Sequence, residues 1–167
     1  MKTLYLLRHA KAVKGEELSD TGRPLSKKGH IQADAVSDHL SSLIPPPKRV
    51  ICSPAIRTRE TLDYFLEVWP QTKTAVSFPE ALYLANKDTL FSQVQGISNK
   101  ADIALLVGHN PGLSIFARKL LRPETEELED MKPSAFIQID FEVDDWADVT
   151  PHTGWIKLNL WPKKLEN

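Results

Sequence analysis

The sequence predicts an α/β fold, a three-layer α/β/α sandwich around a mostly parallel central sheet, and three observations predict it. Apolar stretches without alternation occur at Leu4 to Leu7, at "RVICS" (Arg49 to Ser53) and at "IALLVG" (Ile103 to Gly108), the pattern of strands covered on both faces. Between them the apolar spacing changes to the helical period. Strand and helix therefore alternate along the chain, which requires parallel strands joined by right-handed crossovers. Finally, "AFIQIDF" (Ala135 to Phe141) and "WIKLNLW" (Trp155 to Trp161) follow one another with no helix between them, and they are expected to form an antiparallel pair at one edge.

After the first strand, Ser26 is placed to cap a helix with Ile31, Ala35, Leu40 and Ile44 on its apolar face, ended by Pro45 to Pro47. A second helix is expected from about Ala55 to Trp69, with Leu62, Phe65, Leu66 and Trp69 at the i, i+3, i+4, i+7 spacing. Weaker helical patterns cover Asp88 to Ile97 and Leu113 to Leu121. The acidic "PETEELED", Pro123 to Asp130, reads as a solvated connection. Internal repeats and long low-complexity segments are absent from the sequence.

A chain of 167 residues with 41% hydrophobic content can bury one sizeable core, so a single domain over residues 1–167 is expected. The 21 basic and 22 acidic residues leave a formal charge of -1. That balance provides no general attraction to nucleic acid or to an anionic membrane, so any anion site must be local. A lone cysteine, Cys52, can form neither an internal disulfide nor a thiolate-rich zinc site, which fits a reducing compartment. The apolar run after Lys2 is broken by Arg8 and His9, too soon for a signal peptide or a membrane span, and a cytoplasmic location is expected.

In an open parallel sheet, ligands bind beyond the carboxyl ends of the strands. Arg8-His9, Ser53-Pro54 and Gly108-His109 each lie at such an end, so polar residues far apart in sequence should meet at one edge. A single strand-end histidine is more often structural; two of them beside an arginine-bearing helix start are the functional signal. "GHNPG", Gly108 to Gly112, lies between a strand and a helix, where free backbone N–H groups can face an anion. In "SPAIRTRET", Ser53 to Thr61, Arg57 and Arg59 are separated by about 200° around a helix axis and cannot face one site. Arg57, one turn from the helix start, is placed to reach the strand ends, whereas Arg59 belongs to the surface or to a salt bridge. His30, His39 and His152 have no comparable setting and read as structural or exposed.

"RHAKA" (Arg8 to Ala12), "RPLSKKG" (Arg23 to Gly29), "SPAIRTRET" and "VGHNPGLSIFA" (Val107 to Ala117) together resemble the histidine phosphatase superfamily. Within it they look most like the small SixA-type phosphohistidine phosphatases, whose fold is phosphoglycerate mutase-like. The resemblance implies that His9 is the nucleophile and becomes a phosphohistidine. A neutral imidazole is nucleophilic near neutral pH, and its second ring nitrogen should donate to a fixed acceptor, which the sequence does not identify. Arg8 and Arg57 then supply planar forks for phosphate oxygens, and His109 matches the second catalytic histidine that holds the phosphoryl group from the other side. The backbone N–H of Asn110 is an extra donor, and Lys11 lines the mouth.

By the same resemblance, "FPEALY" (Phe78 to Tyr83) carries Glu80 as general acid for the leaving group, with Asp20, in the loop before Arg23, as its competitor and a substrate-binding candidate. Ala10 stands where many members have glycine, as the SixA-like branch tolerates. The short stretch between Glu80 and the fourth strand leaves little room for the extra segments of the mutases, so a hydrolase is expected. No cofactor or metal is implied. The expected partner is a phosphorylated substrate, foremost a phosphohistidine-bearing signalling protein, with specificity in rim loops such as Val13 to Thr21 and Asn86 to Thr89.

Rival chemistries fit less well. A cysteine phosphatase needs C-x5-R, whereas four residues separate Cys52 from Arg57 and Arg59 lies too far, so Cys52 reads as a buried strand cysteine. A metal site built on His9, His109 and a carboxylate would set a cation beside two arginines, without the usual ligand spacings. A phosphate-binding module without turnover is the remaining non-enzymatic reading.

Overall fold

Alternate residues of a strand face opposite sides of its sheet, and in the first strand, β1 (Lys2–Arg8), both sides are buried. Leu4 and Leu6 join one hydrophobic cluster, Tyr5 and Leu7 another. The computed structural model describes residues 1–15 and 17–166; Glu16, within the expected rim loop, and Asn167 lie outside the described residues. The other strands are β2 (Arg49–Cys52), β3 (Val76–Ser77), β4 (Ile103–Gly108), β5 (Phe136–Phe141) and β6 (Gly154–Leu160).

They form one sheet in the order β3-β2-β4-β1-β5-β6. β1, β2, β3 and β4 pair in parallel, while β5 runs antiparallel to both β1 and β6. The C-terminal edge pair is therefore antiparallel as the sequence predicts, and its inner member is stitched directly onto β1. The two-residue β3 escapes a reading based on apolar runs because it is too short to show a period.

Helices α1 (Lys27–Ser41) and α2 (Ile56–Val68) pack together on the face of Tyr5 and Leu7, through Val36, Leu40, Leu62, Phe65 and the terminal Trp69. Helices α3 (Lys87–Gln95) and α4 (Gly112–Leu120) cover the face of Leu4 and Leu6 with Leu90, Phe91, Val94, Leu113 and Phe116. The three layers are thus as expected. Helix α1 starts as predicted, with the Ser26 hydroxyl accepting from the Gly29 N–H. Its apolar face is different from the expected one: Gly29, Ala33, Val36 and Leu40 point inward, while Ile31, 63% exposed, and Ala35 face solvent. The cause is a backbone contact. A Cβ at Gly29 would lie 2.0 Å from the Lys11 carbonyl oxygen, so the stripe that begins at this glycine is the one that can approach the loop after β1. In the acidic connection Leu128 is buried, while Glu124, Glu126, Glu127, Glu129 and Asp130 are exposed. No helix among the described residues is long and apolar enough to cross a membrane.

Candidate active site

The register of the parallel strands assembles the site. Arg8 pairs with Gly108 and Cys52 with Val107, so the next residues of each strand, His9, Ser53 and His109, emerge side by side at the carboxyl edge. The His9 N–H donates to the Gly108 carbonyl at 3.3 Å, and the Ser53 N–H to that of Val107 at 3.0 Å. The two imidazoles lie 5.4 Å apart between centroids. They line an open cleft of about 460 Å³ together with Arg8, Lys11, Asp20, Arg57 and Asn110, all expected from the sequence. Ala12, Arg23, Tyr83, Leu84 and Pro133 complete the walls.

His9 Nδ1 lies 2.7 Å from the carbonyl oxygen of Ala10. A carbonyl can only accept, so Nδ1 carries the proton and Nε2 keeps a lone pair. This carbonyl is the acceptor that the sequence leaves unnamed. Ala10 itself is clamped: its N–H donates to the Thr61 hydroxyl at 2.9 Å, that hydroxyl donates to the Arg57 carbonyl, and its methyl is buried in a small cluster with Leu25 and Ala33. An alanine is therefore well accommodated at this position. Burial lowers the His9 pKa to about 4; the Ala10 hydrogen bond opposes that shift, and the charges of Arg57, Arg8 and Arg23 add to it.

His109 is buried and its Nε2 lies 2.6 Å from Ser53 Oγ. Burial first, then Arg57 and His9, bring its pKa down to about 3, while its Nδ1 has no partner. The ring of Tyr83 meets it edge-on at 5.5 Å.

Arg57 rises from the first turn of α2 and is only 3% exposed at its side chain. It donates through Nη1 to the Asp20 carbonyl at 2.7 Å and through Nη2 to Asp20 Oδ2 at 3.0 Å. Arg8 donates to the Met131 carbonyl at 2.9 Å, and both arginines have a buried Nε without a partner. Asp20 collects donors: the Tyr83 hydroxyl, Arg57, and Arg23 Nε at 3.1 Å. In that order of effect, Tyr83 then the arginines, they hold its pKa at about 2 against a smaller opposing effect of burial.

The remaining candidates have varied placements. Lys11 is exposed on the cleft wall. The Asn110 side chain donates to the Met131 carbonyl and accepts from the Ser114 N–H and hydroxyl, fixing the start of α4. Glu80 begins a 3-10 turn, Glu80–Leu82, and is exposed outside the cleft lining, so the structure does not bring it together with the histidines. Arg59 stacks on Phe78 at 3.8 Å, away from the cleft. Burial raises the Cys52 thiol pKa far above its ordinary value. His30 and His152 pair with the Tyr64 hydroxyl and the Leu121 carbonyl. Among the described residues, no group of three or more His, Cys, Asp or Glu is placed to hold a metal ion.

Sequence reasoning left Tyr83, Leu84 and Pro133 without a role. Tyr83 closes the same "FPEALY" segment as Glu80, a signal that could have identified it; Pro133 follows no motif and reaches the cleft only through the β1–β5 pairing.

Residues 4–80 match the family model for the histidine phosphatase superfamily (branch 1). An uncharacterised protein of Mycobacterium leprae is 31% identical over 118 residues, 68% of this chain and 70% of that protein. A candidate SixA phosphohistidine phosphatase from Nakamurella multipartitia superposes with a TM-score of 0.85 at 27% identity, over 96% of each chain. The protein histidine phosphatase SixA, solved with tungstate, shares the fold with a TM-score of 0.78 at 20% identity, covering 98% of this chain and 99% of that one.

Proposed function

The chain belongs to the histidine phosphatase superfamily, in its SixA-like branch, and from that premise we propose that it is a metal-independent phosphohydrolase that works through a phosphohistidine at His9. The observation that carries the reading is the state of this imidazole: neutral, with Nδ1–H tied to Ala10 and Nε2 unprotonated, in a cleft edged by Arg8, Arg57 and His109. Nε2 attacks phosphorus, the bond to the leaving group breaks, and the leaving atom takes a proton. Water then attacks the phosphohistidine, the P–N bond breaks, and phosphate departs. The arginines and His109 offset charge on the equatorial oxygens, so the chemistry asks for no metal. Ser53 holds the ring of His109 through Nε2, which leaves Nδ1 as its unpartnered nitrogen.

We assign the proton donor to Asp20, which lines the cleft, over Glu80, which does not. At rest Asp20 is a carboxylate because Tyr83, Arg57 and Arg23 donate to it. A phosphoryl dianion that takes over the Arg57 fork removes one of those donors and adds negative charge beside the carboxyl. Both effects raise its pKa toward protonation.

The leading substrate is phosphohistidine on a signalling protein, followed by small phosphomonoesters. The buried, unpaired Cys52 supports a reducing compartment, the cytoplasm.

Quenching during turnover should trap acid-labile, alkali-stable phosphate on His9, at a rate unaffected by EDTA and suppressed by vanadate. His9→Ala should lose the label and at least about 10⁴-fold in rate. An active His9→Ala beside a dead Cys52→Ser would overturn the reading, and tight phosphate binding without turnover would establish the binding module instead.

A further inference from the structure

Leu84 adopts φ 48, in the left-handed region that a branched, bulky residue avoids. Glycine or asparagine would hold that turn with less strain, and strain of this kind persists where the surroundings enforce it and the side chain has a use. Here the surroundings do enforce it. The neighbours Leu82 and Ala85 are buried, at 1% and 9% exposure, and the Ala85 carbonyl lies so close to α4 that a Cβ on Gly112 would come within 1.8 Å of its oxygen. The turn is pinned on both sides, and Tyr83 within it is tied to Asp20.

The side chain of Leu84 contributes little to the core, since it is 55% exposed. It stands on the cleft wall instead, and Ala12 and Pro133 also line that cleft. Arg57 and His109, at 2% and 3% exposure, form the buried polar part, and Leu84, flanked by half-buried Ala12 and Pro133, is the apolar residue of an exposed wall that also carries Lys11 and Asp20. Arg23 offers little charge to the mouth, being held by Asp20 and by the Val13 carbonyl at 3.0 Å.

From this geometry we propose that Leu84 is a specificity-determining residue that touches the leaving group and favours one with an apolar group next to the atom bonded to phosphorus. The inference rests on the hydrolase reading and narrows it to phosphoryl groups on apolar carriers over phosphates of polyols and sugars.

Benzyl phosphate and glycerol 3-phosphate test it, because both release a primary alkoxide and differ mainly in the group that Leu84 would touch. The wild type should favour benzyl phosphate in kcat/KM by about tenfold or more, as expected for a good apolar contact. Leu84→Asn should collapse that ratio by about tenfold, and Leu84→Met should keep most of it. Because asparagine tolerates the left-handed turn, the Asn variant should melt no lower than wild type. A ratio near one in the wild type, or one that survives Leu84→Asn, overturns the proposal. Calorimetric binding of benzylphosphonate against 2,3-dihydroxypropylphosphonate reads the same contact without turnover. A failure to phosphorylate His9 would then sink the hydrolase reading alone, while loss of the binding preference in Leu84→Asn would still support the leaving-group site.

Discussion

Two clefts of nearly equal size open on this molecule, about 460 Å³ at the carboxyl ends of β1, β2 and β4, and about 480 Å³ between the acidic connection and β6. The second is larger, and it too mixes apolar residues with charges: Trp155, Ile156 and Leu158 beside Glu124, Glu126, Glu127, Lys157 and Lys164. Its carboxylates and ammonium groups are all exposed to water. The first cleft differs in that, besides the exposed Lys11 and Asp20, it holds polar groups taken out of water by burial. Arg57 is nearly fully buried, two histidines have their pKa values lowered to about 4 and about 3, and Arg8, Arg57 and His109 each keep a buried nitrogen without a partner. Unpaired buried polar groups are costly in a folded protein and ask for a reason, which on the proposed reading is an incoming phosphoryl group. Concavity alone therefore does not identify a reaction site; groups whose solvation has been replaced by fixed partners do.

Arg57 gives the hardest test of that contrast. Arg57→Ala should lower kcat/KM by about 10² to 10³-fold, the scale for removing one preorganised donor to transition-state charge. Arg57→Lys should recover little, because an ammonium cannot reproduce the planar fork. Full activity in Arg57→Lys would mean that only charge matters there, and the contrast would reduce to electrostatics.

The proton donor is a sharper question with a comparable effect. Asp20→Asn should slow alkyl phosphate hydrolysis by about 10²-fold and affect p-nitrophenyl phosphate much less, since a poor leaving group depends most on its proton. Glu80→Gln should stay within about twofold of wild type on both. A selective loss in Glu80→Gln alone would return the role to Glu80 and require the 3-10 turn to open toward the cleft.

The histidines offer a test in solution without substrate. NMR titration should find His9 neutral down to about pH 4 and His109 to about pH 3. Because both folded-state values lie below the unfolded value near 6.5, the unfolded chain takes up protons first as pH falls. Their contribution to stability is thus complete above pH 6.5 and is lost as pH drops toward 4. The melting temperature of the wild type should fall markedly more over that interval than that of His9→Gln/His109→Gln, since only the unfolded chain takes up these two protons there. An apparent pKa near 6.5 for His9 would mean that the cleft leaves its charge state as water would set it.

Much of this site is legible in the sequence, for reasons that also explain the omissions. His9, Arg8 and His109 follow apolar runs that can only be buried strands, and the parallel order then brings the strand ends together. Arg57 was selected over Arg59 by helix geometry alone. What local pattern could not carry were facts set between distant segments. The inward face of α1 is chosen by the approach of Gly29 to Lys11, which periodicity around Ile31 cannot reveal. Asp20 reaches Arg57 and Tyr83 from a loop with no period at all. In "FPEALY" the segment was recognisable, but which of its residues lines the cleft depends on a 3-10 turn that leaves Glu80 exposed and delivers Tyr83 to Asp20.

The second cleft makes the smallest prediction, and one that can break the comparison from its other side. Glu124, Glu126 and Glu127 are exposed, so each of Glu124→Gln, Glu126→Gln and Glu127→Gln should change stability by no more than about 0.5 kcal/mol, as expected for surface substitutions, and the triple variant should stay folded. Removing three negative charges would help an anionic substrate to approach, and that steering is the one route by which this cleft could affect turnover. At physiological ionic strength the screening length is about 8 Å, so charges on a separate cleft should be largely hidden from the reaction site. The variant should therefore match wild-type kcat/KM within about twofold at 0.15 M salt and exceed it modestly only when salt is lowered. A large loss of activity at either ionic strength would mean that the acidic groove takes part in substrate binding, and the division between a chemically prepared cleft and a merely concave one would fail.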